Sequence, residues 1–245
     1  NRDVEIFPVV NAMFELISGS SPYKSPTDMG VNMVGNCIID DEACQEASKQ
    51  EIIRRYYTCL CDHTRYGESK DNKQKLESLL RQAHITVNDR KVVKASLDLA
   101  KQTNGPTAAI ELNDGTIIIG KTSDLLGASA AVILNALKYL AGIDQEVDLI
   151  SSSAIEPIQL LKTSYLGSSN PRLHSDEVLI ALSASAANSE IAKKAMEQLP
   201  KLKNCEAHTS VLLSSVDEDT FKRLGVLLTC EPCYEQVTKN YHKKK

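Results

Sequence analysis

Residues 108–120 read Ala-Ala-Ile-Glu-Leu-Asn-Asp-Gly-Thr-Ile-Ile-Ile-Gly, and this stretch constrains the fold more than any other. Two apolar runs flank Asn113-Asp114-Gly115, and an Asp-Gly pair supplies the positive φ that a tight hairpin turn needs. The spacing therefore predicts a β-hairpin. Downstream the pattern alternates. It predicts an Ala-rich helix from about Leu126 to Ala141 stopped by Gly142, a short strand over Val147–Ile150, and a helix near Ile155–Lys162. A strand over Glu177–Ser183 follows, then a helix over Ser189–Leu202 with Asn188 as its cap. Strand Cys205–Leu213, helix Glu218–Leu224 ended by Gly225, and strand Val226–Thr229 complete the order. Strands alternating with helices predict a layered α/β sheet.

The chain before the hairpin is different. Phe7–Ile17 has helical apolar spacing, with Gly19 as a stop, and Glu42–Cys61 reads as a helix capped by Asp40 or Asp41. Lys73–Gln82 is a further helix, and the lysine-rich stretch Glu68–Asn104 reads as a surface excursion or hinge. The expected fold class is mixed α/β. Residues 1–104 form a mainly helical segment and residues 105–245 an α/β domain.

Composition narrows the function classes. The chain has 245 residues, 42% of them apolar, 4% aromatic and none Trp, so its core must be aliphatic and rich in Ala. A net charge of -4, with both signs mixed along the chain, argues against a large nucleic-acid footprint. No apolar run approaches the roughly 20 residues of a membrane-spanning helix. Seven scattered Cys argue for a reducing compartment, so a cytoplasmic location is expected. Cys230-Glu231-Pro232-Cys233 is open to three readings: plain thiols, half a zinc site, or a redox pair. Cys59 and Cys61 are the other close pair, but no second CxxC or HxxxH completes a tetrahedral site, so no metal is assigned.

The densest cluster of reactive side chains is Pro22-Tyr23-Lys24-Ser25-Pro26-Thr27-Asp28-Met29-Gly30-Val31-Asn32. Two prolines stiffen it, and Gly30 permits a tight turn or close ligand approach. Lys24, Thr27 and Asp28 are the candidate catalytic residues, and Ser25 and Asn32 the candidate substrate contacts. A capped turn is the plain structural alternative. Arg54 and Arg55 follow on a helix where an inward guanidinium could clamp a phosphate; an internal ion pair to Asp40, Asp41 or Glu51 is the competing role. Cys205 and His208 sit three apart in a predicted strand, on opposite faces, which disfavours a nucleophile–base pair. His174, ahead of Ser175-Asp176-Glu177, reads as the start of a helix or strand with a structural role.

The hairpin leading into a buried helix loosely resembles the opening of a cytidine-deaminase-like scaffold. Active zinc deamination is excluded, because Leu125-Leu126-Gly127-Ala128-Ser129 carries neither ligand nor Glu. A wider resemblance rests on longer strings: Asn1-Arg2-Asp3-Val4-Glu5-Ile6-Phe7-Pro8, Pro22 to Asn32, and Ala47 to Tyr56. Leu140-Ala141-Gly142-Ile143, Cys205-Glu206-Ala207-His208, Leu224-Gly225 and Leu228-Thr229-Cys230 extend it. Together these resemble the carboxy-terminal half of a bacterial family of unknown function, DUF1846 (UPF0371). The resemblance implies a longer protein whose amino-terminal half, with a Gly-rich nucleotide-binding stretch, lies outside this chain. It implies a homo-oligomer, and a nucleotide as possible cofactor only through that other half. It adds Arg2 to the candidate substrate contacts. The function expected is part of an active site for a phosphorylated or nucleotide substrate, the alternative being an assembly domain without its own catalysis.

Overall fold

The computed structural model describes residues 2–24, 40–67 and 70–235 and divides the chain into two compact units, Asn1–Arg90 and Lys91–Lys245. It is a mixed α/β protein.

Helices make up the first unit among the described residues: α1 (Arg2–Ser18), α2 (Asp41–Tyr66) and α3 (Lys70–Gln82), each packed on the other two. The stop and start signals act as read. Gly19 (φ 76°) ends α1, and the Asp40 carboxylate accepts from the Ala43 amide at 2.9 Å. Gly67 (φ 72°) closes α2 through His63 O. Ile53, Tyr57 and Cys61, four apart, form the buried stripe of α2, and Leu79 and Leu80 of α3, which packs on it, are buried as well.

In the second unit α4 (Lys91–Thr103) precedes β1 (Thr107–Glu111) and β2 (Ile117–Lys121). Helices α5 (Ala128–Ala141) and α6 (Ser152–Leu160) follow, and a π-helical turn (Leu161–Tyr165) continues α6. Then come α7 (Ser175–Ala186), α8 (Glu190–Met196), a 3-10 turn (Leu199–Leu202), β3 (Glu206–Thr209), α9 (Ser215–Arg223) and β4 (Leu227–Cys230). The sheet order is β2-β1-β3-β4; β1 is antiparallel to both neighbours, whereas β3 and β4 are parallel and joined through α9. The hairpin is present in the predicted place, with Gly115 at φ 83°. Ala108 and Ile110 of β1, and Leu112 just beyond it, enter the core with Ile133 and Leu137 of α5. Ala109, pointing the other way, is also fully buried, and α4 packs against β1, β2 and β3. Both faces of the sheet are therefore covered.

Several predicted elements differ. Glu177–Ser183 is not a strand but the middle of α7. Its buried residues Val178, Ala181 and Leu182 recur at helical spacing, and the Glu177 carboxylate folds back to the His174 amide. A short apolar run does not distinguish the two periods without that cap. Val147–Ile150 is irregular; Leu149 and Ile150 plug the core without pairing to a strand. The long helix predicted over Ser189–Leu202 is two short pieces broken ahead of Pro200, and Ser189, not Asn188, caps the first. The strand predicted over Cys205–Leu213 ends at Thr209. Beyond the hairpin and its helix, nothing supports a cytidine-deaminase-like scaffold: Ser129 at the α5 start bonds Asp217.

Gly120 is required for a spatial reason. A Cβ there would lie 2.4 Å from Val132 N and 2.7 Å from Val132 Cα, both backbone atoms of α5. Gly115, in contrast, faces open space and needs only its left-handed backbone. Gly120→Ala is expected to cost about 3 kcal/mol or more by forcing β2 off α5, and Gly115→Ala about 1 kcal/mol. Urea unfolding midpoints check the order; equal costs would show that β2 and α5 separate freely.

Candidate functional site

The register of the sheet brings one edge together: Thr107 opposite Lys121, Ala108 opposite Thr209, and Thr209 opposite Cys230. This is the carboxyl end of β2, β3 and β4. Helices α5, α7 and α9 all begin there, with caps Gly127, His174 and Ser214. A cavity of about 180 Å³ lies among these starts, lined by Thr107, Ser129, Arg172, His174, Asp217 and Glu235, among others. Ligand crevices in α/β sheets form at strand carboxyl ends, where loops are free to diverge.

Asp217, 3% exposed, organises the wall. One carboxylate oxygen accepts from Ser129 Oγ (2.9 Å), from the Ser175 amide (2.9 Å) and, more closely still, from Ser175 Oγ. The other accepts from Ser214 Oγ (2.8 Å) and lies 2.8 Å from His174 Nδ1. Burial pushes this carboxyl toward the neutral form. The hydrogen bonds from His174 and Ser175, and the imidazolium charge, outweigh it and hold the group far below the usual carboxylate range. The same hydrogen bond raises the His174 pKa above its ordinary value, against partial opposition from burial. With Nδ1 committed to Asp217, Nε2 is the ring nitrogen left for proton transfer.

A second tier holds this histidine. Lys162, almost fully buried in the π-helical turn, donates to Arg172 O (2.6 Å) and to Glu177 Oε2 (2.7 Å). That Glu177 oxygen also accepts from the His174 amide (2.7 Å). The main chain from Arg172 to His174 is thus pinned at both ends, and π-turns recur beside functional groups. The Arg172 guanidinium reaches Glu235 Oε1 at 2.6 Å.

The residues singled out in sequence lie in the first unit. Ser25, Thr27, Asp28 and Asn32 fall outside the described residues, and Arg2 is the first residue of α1. Lys24 lines a cleft of about 600 Å³ with Phe7, Tyr23, Gln45, Lys49 and His84, and its carbonyl accepts from Gln45 Nε2. The charged groups there are solvated: Glu15, Lys24 and His84 are exposed. Arg54 and Arg55 are not among that lining. Arg54 bonds Glu51 (2.9 Å), and Arg55 bonds Glu51 (2.9 Å) and Glu5 (2.8 Å), as the ion-pair alternative expected. Cys205 donates to Lys201 O, while His208 Nδ1 meets Thr229 Oγ1 at 2.9 Å, so the two point to different partners. Among the described residues no group of three or more His, Cys, Asp or Glu could hold a metal ion. No described helix is long and apolar enough to cross a membrane.

Asp217→Asn tests the wall directly. Asparagine keeps the shape but removes the charge that His174 and three hydroxyls address. The His174 pKa is expected to fall to or below about 6.5, read by NMR of the ring protons, and unfolding to cost about 3 kcal/mol less. Stability from His174 in the native protein is complete below its unfolded pKa and fades as pH rises through the raised folded value. In Asp217→Asn that alkaline fade should vanish. An unchanged His174 titration would separate the two residues in solution.

Residues 88–241 match the family "Domain of unknown function DUF1846, C-terminal", and residues 1–84 match "Domain of unknown function DUF1846, N-terminal". The two matches meet close to Arg90, where the compact units divide. The expectation of a carboxy-terminal half alone is corrected: part of the chain matches the amino-terminal domain as well. The "UPF0371 protein" of Corynebacterium glutamicum (strain R) is 58% identical over 236 residues, covering 96% of this chain and 48% of the relative. UPF0371 protein DIP2346 of Corynebacterium diphtheriae is 53% identical over 244 residues, 100% of this chain and 49% of its own length. A UPF0371 protein of Streptococcus thermophilus (strain ATCC BAA-491 / LMD-9) is 50% identical over 243 residues, 99% and 49%. The chain spans about half the length of the curated relatives it matches. With both domain matches in one chain, it belongs to the DUF1846 (UPF0371) family.

Proposed function

We propose that the second-unit cavity is a substrate site in which His174 transfers a proton to or from a small phosphorylated or nucleotide-derived molecule. The observation that carries this reading is the 2.8 Å bond from His174 Nδ1 to the buried Asp217 carboxylate at the cavity wall. A carboxylate in that position fixes the ring's tautomer and orientation and stabilises the imidazolium formed when Nε2 takes a proton. The raised His174 pKa keeps a larger protonated fraction near neutral pH, which suits a group that must also act as an acid. Three helix starts and the Arg172 guanidinium favour an anionic substrate. A volume of about 180 Å³ suits a phosphate-sized group better than a whole nucleotide.

A second reading, assembly through apolar surface, draws support from α1, where Met13, Leu16 and Ile17 are 55%, 87% and 77% exposed. In that reading the cavity is a structural cap.

A thermal-shift screen over sugar phosphates and nucleotides, on the full chain, decides between them. A binder present at a hundred times its Kd stabilises by about 2.7 kcal/mol. His174→Gln should remove at least half of that shift and slow any turnover by about 10² or more. Lys24→Ala and Asp28→Ala should leave it intact. If they abolish the shift while His174→Gln does not, the site belongs to the first unit and this proposal fails.

A further inference from the structure

We infer that Glu235 is an internal anion resting on Arg172 in the place a ligand's own anionic group takes, and that ligand binding displaces it. The inference rests on the reading of this cavity as a ligand site.

Charge balance is the first argument. Two ion pairs lie on the cavity wall, His174 with Asp217 (2.8 Å) and Arg172 with Glu235 (2.6 Å), and a third, Lys162 with Glu177 (2.7 Å), holds the backbone behind them. Each cation has its carboxylate, so an incoming anion meets a neutral site unless one carboxylate leaves. Asp217 cannot leave, with five donor contacts and 3% exposure. Glu177 is tied to both Lys162 and the His174 amide. Glu235 has neither restraint: its side chain is 38% exposed against 12% for Arg172.

Chain connectivity is the second. After β4 the chain runs on in parallel beside the segment that leaves β3, with the Glu231 amide on Thr209 O (2.9 Å) and Cys233 O accepting from the Leu212 amide (2.8 Å). Cys233 Sγ adds a contact to Ser210 O. Among the described residues the last of these anchors is Cys233; Tyr234, 63% exposed, and Glu235 follow it to the cavity, where the Glu235 carboxylate meets both Arg172 and solvent. Arg172 is pinned at its own backbone by Lys162 and by Asn170 Oδ1 (3.1 Å). The fork stays while the carboxylate moves. An Arg fork accepts a phosphate or carboxylate bidentately, which sets the ligand's class as a small anion. The cavity, at about 180 Å³, lies below the ordinary range for ligand pockets, and withdrawing a glutamate side chain enlarges it.

The test titrates pyrophosphate into the full chain and follows the His174 ring resonances by NMR. Displacement means that Glu235 competes, so Glu235→Gln should bind about tenfold tighter than wild type. Arg172→Gln should lose binding in both backgrounds. Asp219→Asn, an exposed carboxylate outside the cavity lining, controls for the change in net charge and should stay at the wild-type affinity. Equal affinity in wild type and Glu235→Gln, with His174 shifting in both, overturns the displacement and leaves the site reading standing. An Asp219→Asn gain as large as that of Glu235→Gln also overturns it. If pyrophosphate moves His174 in no variant, both the displacement and the anionic-substrate reading fail.

Discussion

The buried Asp217 carboxylate is the constraint on which the second unit is organised. Moving a lone carboxylate out of water costs several kcal/mol unless donors replace its hydration. Here the donors come from three helix starts: Ser129 on α5, Ser175 and the His174 ring on α7, and Ser214 on α9 itself. Those residues lie up to 88 positions away in sequence. No single helix can satisfy Asp217, so the native carboxylate is stable only when all three ends meet. The sheet edge beneath them is where β2, β3 and β4 deliver the chain. A cavity at that edge is a consequence of helices that diverge from a shared anchor.

Much of the architecture is readable from local chemistry. Asp114-Gly115 specifies its hairpin because only a left-handed backbone closes that turn, and Gly19, Gly142 and Gly225 end helices for the same reason. Asp40 and Ser214 cap helices through their own next turn. Such signals involve neighbours a few residues apart. Glu177–Ser183 escapes them because the six apolar and small residues after Glu177 fit either period; the deciding contact, Glu177 with the His174 amide, is a cap that resembles an ordinary polar pair in sequence.

The site was less legible, for a related physical reason. His174 reads in sequence as the start of an element and caps α7, yet its partner Asp217 is 43 positions away, and nothing in either neighbourhood announces the other. The one local sign is that Ser214-Ser-Val-Asp217 has the form of a helix cap directly after a predicted strand, Cys205–Leu213. Polar density in Pro22–Asn32 points to surface chemistry, but density does not measure desolvation. Lys24 stands in solvated company, whereas Asp217 and Lys162 are nearly sealed, and a sealed charge must find its hydrogen-bond partners within the fold.

The two ion pairs on the cavity wall and the Lys162–Glu177 pair behind them differ in what holds them, and that difference orders their roles. Lys162 is buried and, with the half-buried Glu177, fixes backbone, so this pair acts by positioning. His174–Asp217 is buried on the acid side only, which leaves an oriented ring able to exchange protons. Arg172–Glu235 is buried on the basic side only, with its acid carried by a chain end-on to the cavity and exposed. A solvated carboxylate contributes little net stability to such a pair, on the order of 1 kcal/mol or less, while the guanidinium, 12% exposed, favours an anion beside it. The pair that stabilises the fold least is therefore the one an anion from solution exchanges most readily, and it lies on the same wall as the histidine whose proton that anion would meet.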